Sequence, residues 1–303
     1  MRYLSLKNYL GERFGRPVAK IALDAGLTCP NRDGSISHAG CLFCDTKGSG
    51  TGLGNTLSLA EQITAGKTRS RNRADRFICY FQSYTNTYAP LEDLRAMWDL
   101  AVSESDVVGL AVGTRPDSLP EDVLDLLAGY DGREVWLELG LQSSNDETLR
   151  RINRGHTAGV FADACTRARN RGLKVIAHVI LGLPGEGMDD YLNTARFLTN
   201  LKVDGIKIHS LYVSRDAGLA ALYRRGEFEC LGREAFIDAA VKFLEHTPPD
   251  VVIHRLTGDP DPDKLVAPDW AMDKGRTIQL IRKRLDDLDT WQGAALGAPP
   301  YKT

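Results

Sequence analysis

The chain has 303 residues, 43% of them hydrophobic and 26% charged, which fits a folded globular protein and excludes collagen-like, mucin-like and wholly disordered chains. Lys and Arg total 38 against 40 Asp and Glu, a formal net charge of -2, so any polyanion-binding surface is local rather than global. At roughly 150 residues per domain the length suits one or two domains, or a single large α/β barrel.

The first segment, MRYLSLKNYLGERFGRP, lacks an apolar signal core, and no stretch approaches the roughly 20 apolar residues of a membrane helix. A cytoplasmic protein without membrane contact is expected. Six cysteines are too few for a disulfide-stapled secreted fold and leave thiols available as metal ligands. Strand-length runs rich in Val, Ile and Leu recur at 18–23, 77–81, 107–112, 134–139, 174–181, 205–211 and 251–256. Helical spacing lies between them, as in Leu91, Leu94, Met97 and Trp98, or Phe161, Ala164, Cys165 and Ala168. This β-then-α alternation predicts a parallel sheet. Six or seven units fall short of a closed eight and predict an α/β fold, a partial (β/α)6-type TIM barrel with its site at the carboxyl ends of the strands. With no internal repeat and no long linker, the expected organisation is an N-terminal extension (1–17), one barrel core (18–256) and a C-terminal extension (257–303). Within the last, the Gly and Pro content of 290–303 predicts a frayed tail.

After the first strand comes CPNRDGSISHAGCLFC, which sets Cys29, Cys41 and Cys44 in a C-x11-C-x2-C pattern on a loop. The short gap turns two thiolates toward one centre, and Gly34 and Gly40 allow the longer one to bring the third around. If His38 joins them the set is a closed structural zinc site. If only the cysteines ligate, a 4Fe–4S cluster keeps one iron open for a ligand. Cys79, Cys165 and Cys230 sit in apolar patterns and read as buried small hydrophobes. A glycine-rich loop follows at 46–55.

Polar and glycine residues crowd the later strand ends: Gln82, Ser83, Tyr84, Thr85 and Asn86; Gly113, Thr114, Arg115, Pro116 and Asp117; Gly140, Leu141, Gln142 and Ser143. One instance alone is a helix cap; recurrence around one mouth suits a polar cofactor. Glu138, at a strand end, needs a cation or a ligand's donor, and a ligand contact is the expectation. Arg154, in the run Asn153 to His156, is placed to fork onto a carboxylate. LGLPGE at 181–186 allows close approach of a ligand to backbone.

These residues carry a resemblance. LDAGLTCPNRDG (23–34), GCLFC (40–44), TRPD (114–117), ELGLQS (138–143), NRGHT (153–157), LGLPGE (181–186) and LTGD (256–259) together resemble the radical SAM superfamily. Within it they resemble the bacterial YhcC/YtqA-type group, related to the Elongator catalytic subunit and the oxygen-independent coproporphyrinogen oxidase. The resemblance implies a 4Fe–4S cluster on Cys29, Cys41 and Cys44, with S-adenosylmethionine (SAM) on the open iron. It implies one-electron cleavage to methionine and a 5'-deoxyadenosyl radical that takes hydrogen from the substrate. By the same resemblance Phe43 lies near the adenine, Gln82 and Ser83 near the methionine amine, Glu138 and Gln142 near the ribose or carboxylate, and Arg154 against the carboxylate. Thr114, Arg115 and Asp117 complete the expected cofactor set. The first cysteine gap is longer than the superfamily's usual three residues but matches this group's own pattern.

The densest basic stretch is Lys67, Arg69, Arg71, Arg73 and Arg76; it suits a phosphate backbone or a solvated face. Tyr80, Phe81, Tyr84 and Tyr88 follow, and an exposed one of them would stack on a base. The group looks like tRNA-modifying enzymes, which implies action on the carbon-5 side chain of a tRNA wobble uridine, converting carboxymethylaminomethyl toward aminomethyl. A one-electron donor such as flavodoxin or ferredoxin is implied with it. Lys207, His209, His254, Arg255, Asp259, Pro268 and Trp270 are the expected substrate side of the pocket. Two alternatives stand beside this: radical chemistry on a small metabolite or tetrapyrrole-like molecule, and a zinc-stabilised RNA-binding scaffold.

Overall fold

The structure, a computed structural model, describes residues 1–48, 50–54 and 56–300. Its strands are β1 (Val18–Leu23), β2 (Arg76–Phe81), β3 (Val107–Thr114), β4 (Glu134–Gln142), β5 (Lys174–Leu181), β6 (Gly205–Ser210), β7 (Val213–Ser214), β8 (Val252–Arg255) and β9 (Leu265–Ala267). β1 to β6 and then β8 form one seven-stranded parallel sheet in that order, while β7 and β9 pair antiparallel. Helices Leu59–Ser70, Leu91–Val102, Glu121–Ala128, Ala158–Arg169, Met188–Leu201 and Arg233–Glu245 lie after β1 to β6 in turn. This is the partial barrel that the alternation predicts, with all seven expected runs present as strands.

The main core lies between the sheet and its helices. Helix Leu91–Val102 buries Leu94, Trp98, Ala101 and Val102, a spacing of three and four residues that keeps one stripe facing the sheet. Phe81, Phe161, Phe236 and Phe243 are fully buried in the same core, each worth about 1.5–3 kcal/mol of burial. A second, smaller core fills the inside of the curl: Ile78, Tyr80, Ala111, Trp136 and Ile176 pack around Leu10. Leu10 comes from helix Leu6–Phe14, which Ser5 caps through its hydroxyl and Gly15 ends in a left-handed conformation (φ 61°). That helix stoppers the amino end of the barrel. The segment before it covers β8, the Ile253 amide donating to the Leu4 carbonyl at 2.8 Å, so this sheet edge is not left bare.

The chain end differs from the expectation of fraying as far as residue 298. Gln292, buried, donates to the Pro248 and Val251 carbonyls and accepts from the Leu4 amide, and the Trp291 indole donates to the Ala298 carbonyl. Side-chain amide bonding outweighs the Gly and Pro content there. Residues 301–303 of the expected tail, and Ser49 and Asn55 of the glycine-rich loop, lie outside the described residues.

Candidate active site

The loop that follows β1 is fixed from both ends. Gln62 pins its start, accepting from the Asp24 amide (2.8 Å) and donating to the Asp24 carbonyl (2.9 Å). Farther along, the Asn153 side chain donates to the Gly40 carbonyl (2.7 Å), the Leu42 amide donates to the Ile152 carbonyl, and the Leu219 amide to the Leu42 carbonyl. Asn153 adopts a positive φ (52°), tolerated by asparagine, and presents its side chain to the loop. The glycine-rich segment closes over the end of β2: a Cβ on Gly50 would fall 1.8 Å from the Ser83 hydroxyl, and one on Gly48 would fall 2.5 Å from the Tyr84 ring.

Cys29, Cys41 and Cys44 all line one cavity of about 610 Å³ at the carboxyl ends of the strands. Asn31 and Arg154 direct N–H groups at the Cys41 sulfur (3.4 and 3.5 Å), an arrangement suited to a sulfur that carries negative charge. Burial, aided by Cys41, pushes the Cys44 thiol up to about 11, so its thiolate forms only against a cation. Among the described residues no three His, Cys, Asp or Glu side chains are gathered around a single-ion site. Three thiols lining one cavity supply the three thiolates that a 4Fe–4S cluster with one open iron would need. His38 is exposed and folded over Gly34, away from the cavity lining. The Cys3His alternative therefore lacks its fourth ligand. Cys79 and Cys165 are buried as expected, and Cys230 is half-buried.

The strand ends supply polar groups in excess of their protein partners. Phe43, Gln82, Thr114, Arg115, Glu138, Gln142 and Arg154 share the cavity wall with the thiols. Arg115 is held bidentate by Asp117 (2.8 and 2.7 Å), yet its Nη1 is buried without a partner, as are Arg154 Nε and the Thr85 hydroxyl. Unmet buried donors are costly, and a ligand bearing a carboxylate or hydroxyls meets them. Asp117 and Ser83 lie behind this wall: Asp117 orients Arg115, and Ser83 sits under Gly50 with its hydroxyl unpartnered. Glycine at 140 leaves room for two side-chain ends, since a Cβ there would fall 2.6 Å from Arg154 Nη2 and 2.7 Å from Gln142 Nε2. His156, beside Arg154 and Arg115, is lowered to about 3 by burial and by those cations, and stays neutral.

Glu138 is not offered to a ligand as a free acceptor. It is fully buried, with Lys20 at 2.5 Å on one oxygen and His178 (2.9 Å) and Lys207 on the other. Both lysines also stand over the Tyr80 ring, at 4.0 and 4.1 Å. The cations hold the carboxyl well below the usual range against its burial. His178 is lowered to about 4 by burial and then by Lys207. The expected ligand contact is thus replaced by an internal ion network on the cavity floor.

Of the expected substrate residues, Lys207, His209, Arg255 and Asp259 line the cavity. His254 does not: it stands edge-on to Trp136 (4.8 Å) in a separate cavity toward the amino end. Trp270 packs on Phe236 and donates to the Leu231 carbonyl, and neither it nor Pro268 reaches the site. Lys67, Arg69, Arg71 and Arg73 run from helix Leu59–Ser70 into the turn before β2, at the opposite end of the barrel, and Lys67 is ion-paired with Glu104 and Asp106 (2.6 Å each). Sequence reasoning left out Lys20, Arg32, His178 and Tyr212, although Arg32, His178 and Tyr212 also line the cavity. A lysine in the middle of the apolar run VAKIAL was the available signal for Lys20.

Comparison with known proteins follows the same lines. The Radical SAM superfamily profile matches residues 29–198, and the Radical_SAM C-terminal domain profile matches 203–287. Protein YhcC of Escherichia coli K12 is 41% identical over 96% of this chain and 94% of its own length. Uncharacterized protein YtqA of Bacillus subtilis is 38% identical over 96% and 92%. Among solved structures, the archaeal Methanocaldococcus infernus Elp3 superposes with TM-score 0.70 at 19% identity over 91% of this chain. This chain spans only 64% of that structure.

Proposed function

The chain belongs to the radical SAM superfamily, and from that premise we propose that Cys29, Cys41 and Cys44 hold the 4Fe–4S cluster and that the adjoining wall holds SAM. The observation that carries this is the meeting of three thiols with unpartnered donors of Arg115 and Arg154 in one cavity. A cluster held by Cys29, Cys41 and Cys44 would supply one-electron reduction of the SAM sulfonium, the chemistry by which the superfamily removes hydrogen from a substrate. The chain's own part is to bind and to exclude. Arg154 and Arg115 neutralise the cofactor carboxylate, Gln142 and Thr85 meet its hydroxyls, and Asn31 and Arg154 stabilise charge on Cys41. The electron comes from a small donor such as flavodoxin or ferredoxin, in the reducing interior of the cell. Among the described residues no helix is long and apolar enough to cross a membrane.

For substrate we propose the carbon-5 side chain of a tRNA wobble uridine, carboxymethylaminomethyl being converted toward aminomethyl, with SAM as the net two-electron oxidant and water releasing the carboxymethyl carbons as a two-carbon oxo acid. Support comes from the resemblance of the motifs to the Elongator catalytic subunit and from the fold shared with the archaeal Elp3. One observation favours the second reading, a free small metabolite: the densest basic run lies at the far end of the barrel from the cavity. The test is anaerobic reconstitution followed by electron paramagnetic resonance of the reduced protein with and without SAM. A cluster signal that shifts on addition is expected, with 5'-deoxyadenosine released under reduction. Turnover is then sought with tRNA from a strain lacking the protein. A silent sample containing tightly bound zinc would remove the radical reading, and turnover of a free metabolite but not of tRNA would select the second substrate.

A further inference from the structure

The floor of the cavity carries more positive charge than the protein neutralises. Lys207 from β6 and Arg255 from β8 line it, and Lys20 from β1 stands behind the one carboxylate of the floor, Glu138. Lys20 and Lys207 both bind that carboxylate, and their side chains are only 18% and 7% exposed. Arg255 borders Lys207 in the strand register and, among the described residues, has neither a hydrogen-bond nor an ion-pair partner. The other groups facing this floor are neutral or already occupied. His178 and His209 are both lowered by burial and nearby cations, and Tyr80 is pushed up by burial and Glu138. Asp259 is taken by Lys274 (2.6 Å), Asp261 by Lys47 (3.0 Å), and Asp45 accepts from the Lys47 amide. Two buried ammonium groups thus share one carboxylate, and a third, half-buried cation without a protein partner faces the same cavity, so an entering anion meets positive charge that Glu138 alone does not balance. The crowding shows on Lys207, whose ammonium is lowered well below the lysine range by burial, Lys20 and Arg255 despite the pull of Glu138.

We infer that this floor is the binding site for a carboxylate of the substrate, received by Arg255 with Lys207 and Lys20 behind it. Arg255 gives the forked contact, because a guanidinium presents two parallel N–H groups to a carboxylate. The unpartnered Nε2 of His209 lies alongside. A substrate carrying a carboxymethylamino group meets this requirement, and its decarboxylated counterpart does not. The inference deepens the reading above: it relies on that cavity being the place of reaction, and adds that the molecule admitted is anionic at its buried end. The cofactor's own carboxylate is assigned to Arg154 and Arg115, on the thiol side of the cavity.

The probes are N-ethylglycine, a small fragment with the carboxymethylamino group, and N-ethylmethylamine, which lacks its carboxylate. Binding is measured at low ionic strength by calorimetry or ligand-observed magnetic resonance, on the protein before cluster reconstitution and on the reconstituted protein saturated with SAM. The wild type is expected to bind N-ethylglycine at least tenfold more tightly than the amine in both states. Arg255→Gln loses that preference, and Arg255→Lys restores much of it. Because Arg255 has no internal partner, Arg255→Gln leaves the melting temperature unchanged or raised, whereas a structural arginine would lower it. Equal binding of the two probes overturns the inference, as does a preference that survives Arg255→Gln. Displacement of N-ethylglycine by SAM also overturns it, since the anion held there would then be the cofactor's. Failure of the radical reading is seen separately, as absence of SAM cleavage by the reduced wild type. Anion binding without turnover of tRNA keeps the inference and removes the nucleic-acid substrate.

Discussion

Glu138→Gln tests the ion network most directly. The wild-type carboxylate is fully buried and faces Lys20, Lys207 and His178, so neutralising it strands two ammonium groups in the barrel. Removing one partner of a buried pair costs about 3–5 kcal/mol; Gln keeps some hydrogen bonding, which sets the expectation at about 3 kcal/mol. The sign with pH follows from Lys207, which burial, Lys20 and Arg255 already lower and Glu138 raises. Without Glu138 its folded-state affinity for protons falls further below that of the unfolded chain, so the unfolded state binds more protons and stability rises with pH. The slope is up to about 1.4 kcal/mol per pH unit once Lys207 is forced neutral. Urea denaturation of wild type and variant at pH 6, 7.5 and 9 would show the deficit shrinking toward alkaline pH. The double variant Glu138→Gln with Lys207→Met removes the more deeply buried stranded charge and should recover most of the loss, because replacing a buried pair by apolar volume is close to neutral. A single-variant loss below about 1 kcal/mol, or a double variant as unstable as the two singles added, would refute the view that these charges stabilise one another.

Gly140→Ala should leave the fold intact, at a cost below about 2 kcal/mol, because the atoms its Cβ meets are the mobile ends of Arg154 and Gln142. SAM binding should weaken at least tenfold as those ends move, and unchanged affinity in equilibrium dialysis would count against their assigned places. Glu186 is raised to about 7 by burial, with Ser143 bonded to it. A carboxyl raised on folding adds stability below its unfolded value of 4.5 and loses it as pH climbs through 7. Glu186→Gln should therefore flatten the stability profile between those values, with a gain of at most about 3 kcal/mol above pH 7; a profile as steep as wild type would contradict it.

The sheet was legible because each strand is a compact apolar run and each helix keeps its stripe. β7 and β9 were not, since two and three residues are too few to show alternation. The thiols were legible by spacing, and so were Arg115, Gln142 and Arg154 by their places after strands. The identity of the substrate side was harder to read. In a straight register Lys207 would pair with His254. The register shifts between Ile206 and Lys207, so that Lys207 meets Arg255 instead, and a bulge of this kind turns two successive side chains toward the same side. His254 then settles low against Trp136 while Arg255 rises to the cavity. Nothing in the local sequence announces that bulge. Glu138 was correctly singled out as a buried carboxylate in need of company, but its partners come from β1, β5 and β6, a juxtaposition that only closure of the curl creates.

Helix Leu6–Phe14, with Leu10 seated among Ile78, Trp136 and Ile176, occupies the amino end of the curl, so the cavity at the carboxyl strand ends is not entered through that end. Entry from the carboxyl side imposes an order of traffic. Whatever lies deepest has to arrive first and leave last, so a bulky molecule seated across the opening imprisons everything beneath it. For the proposed cofactor and a bulky substrate, spent fragments would stay beside the reacting groups until that substrate departs, and its release would be the step that times each cycle.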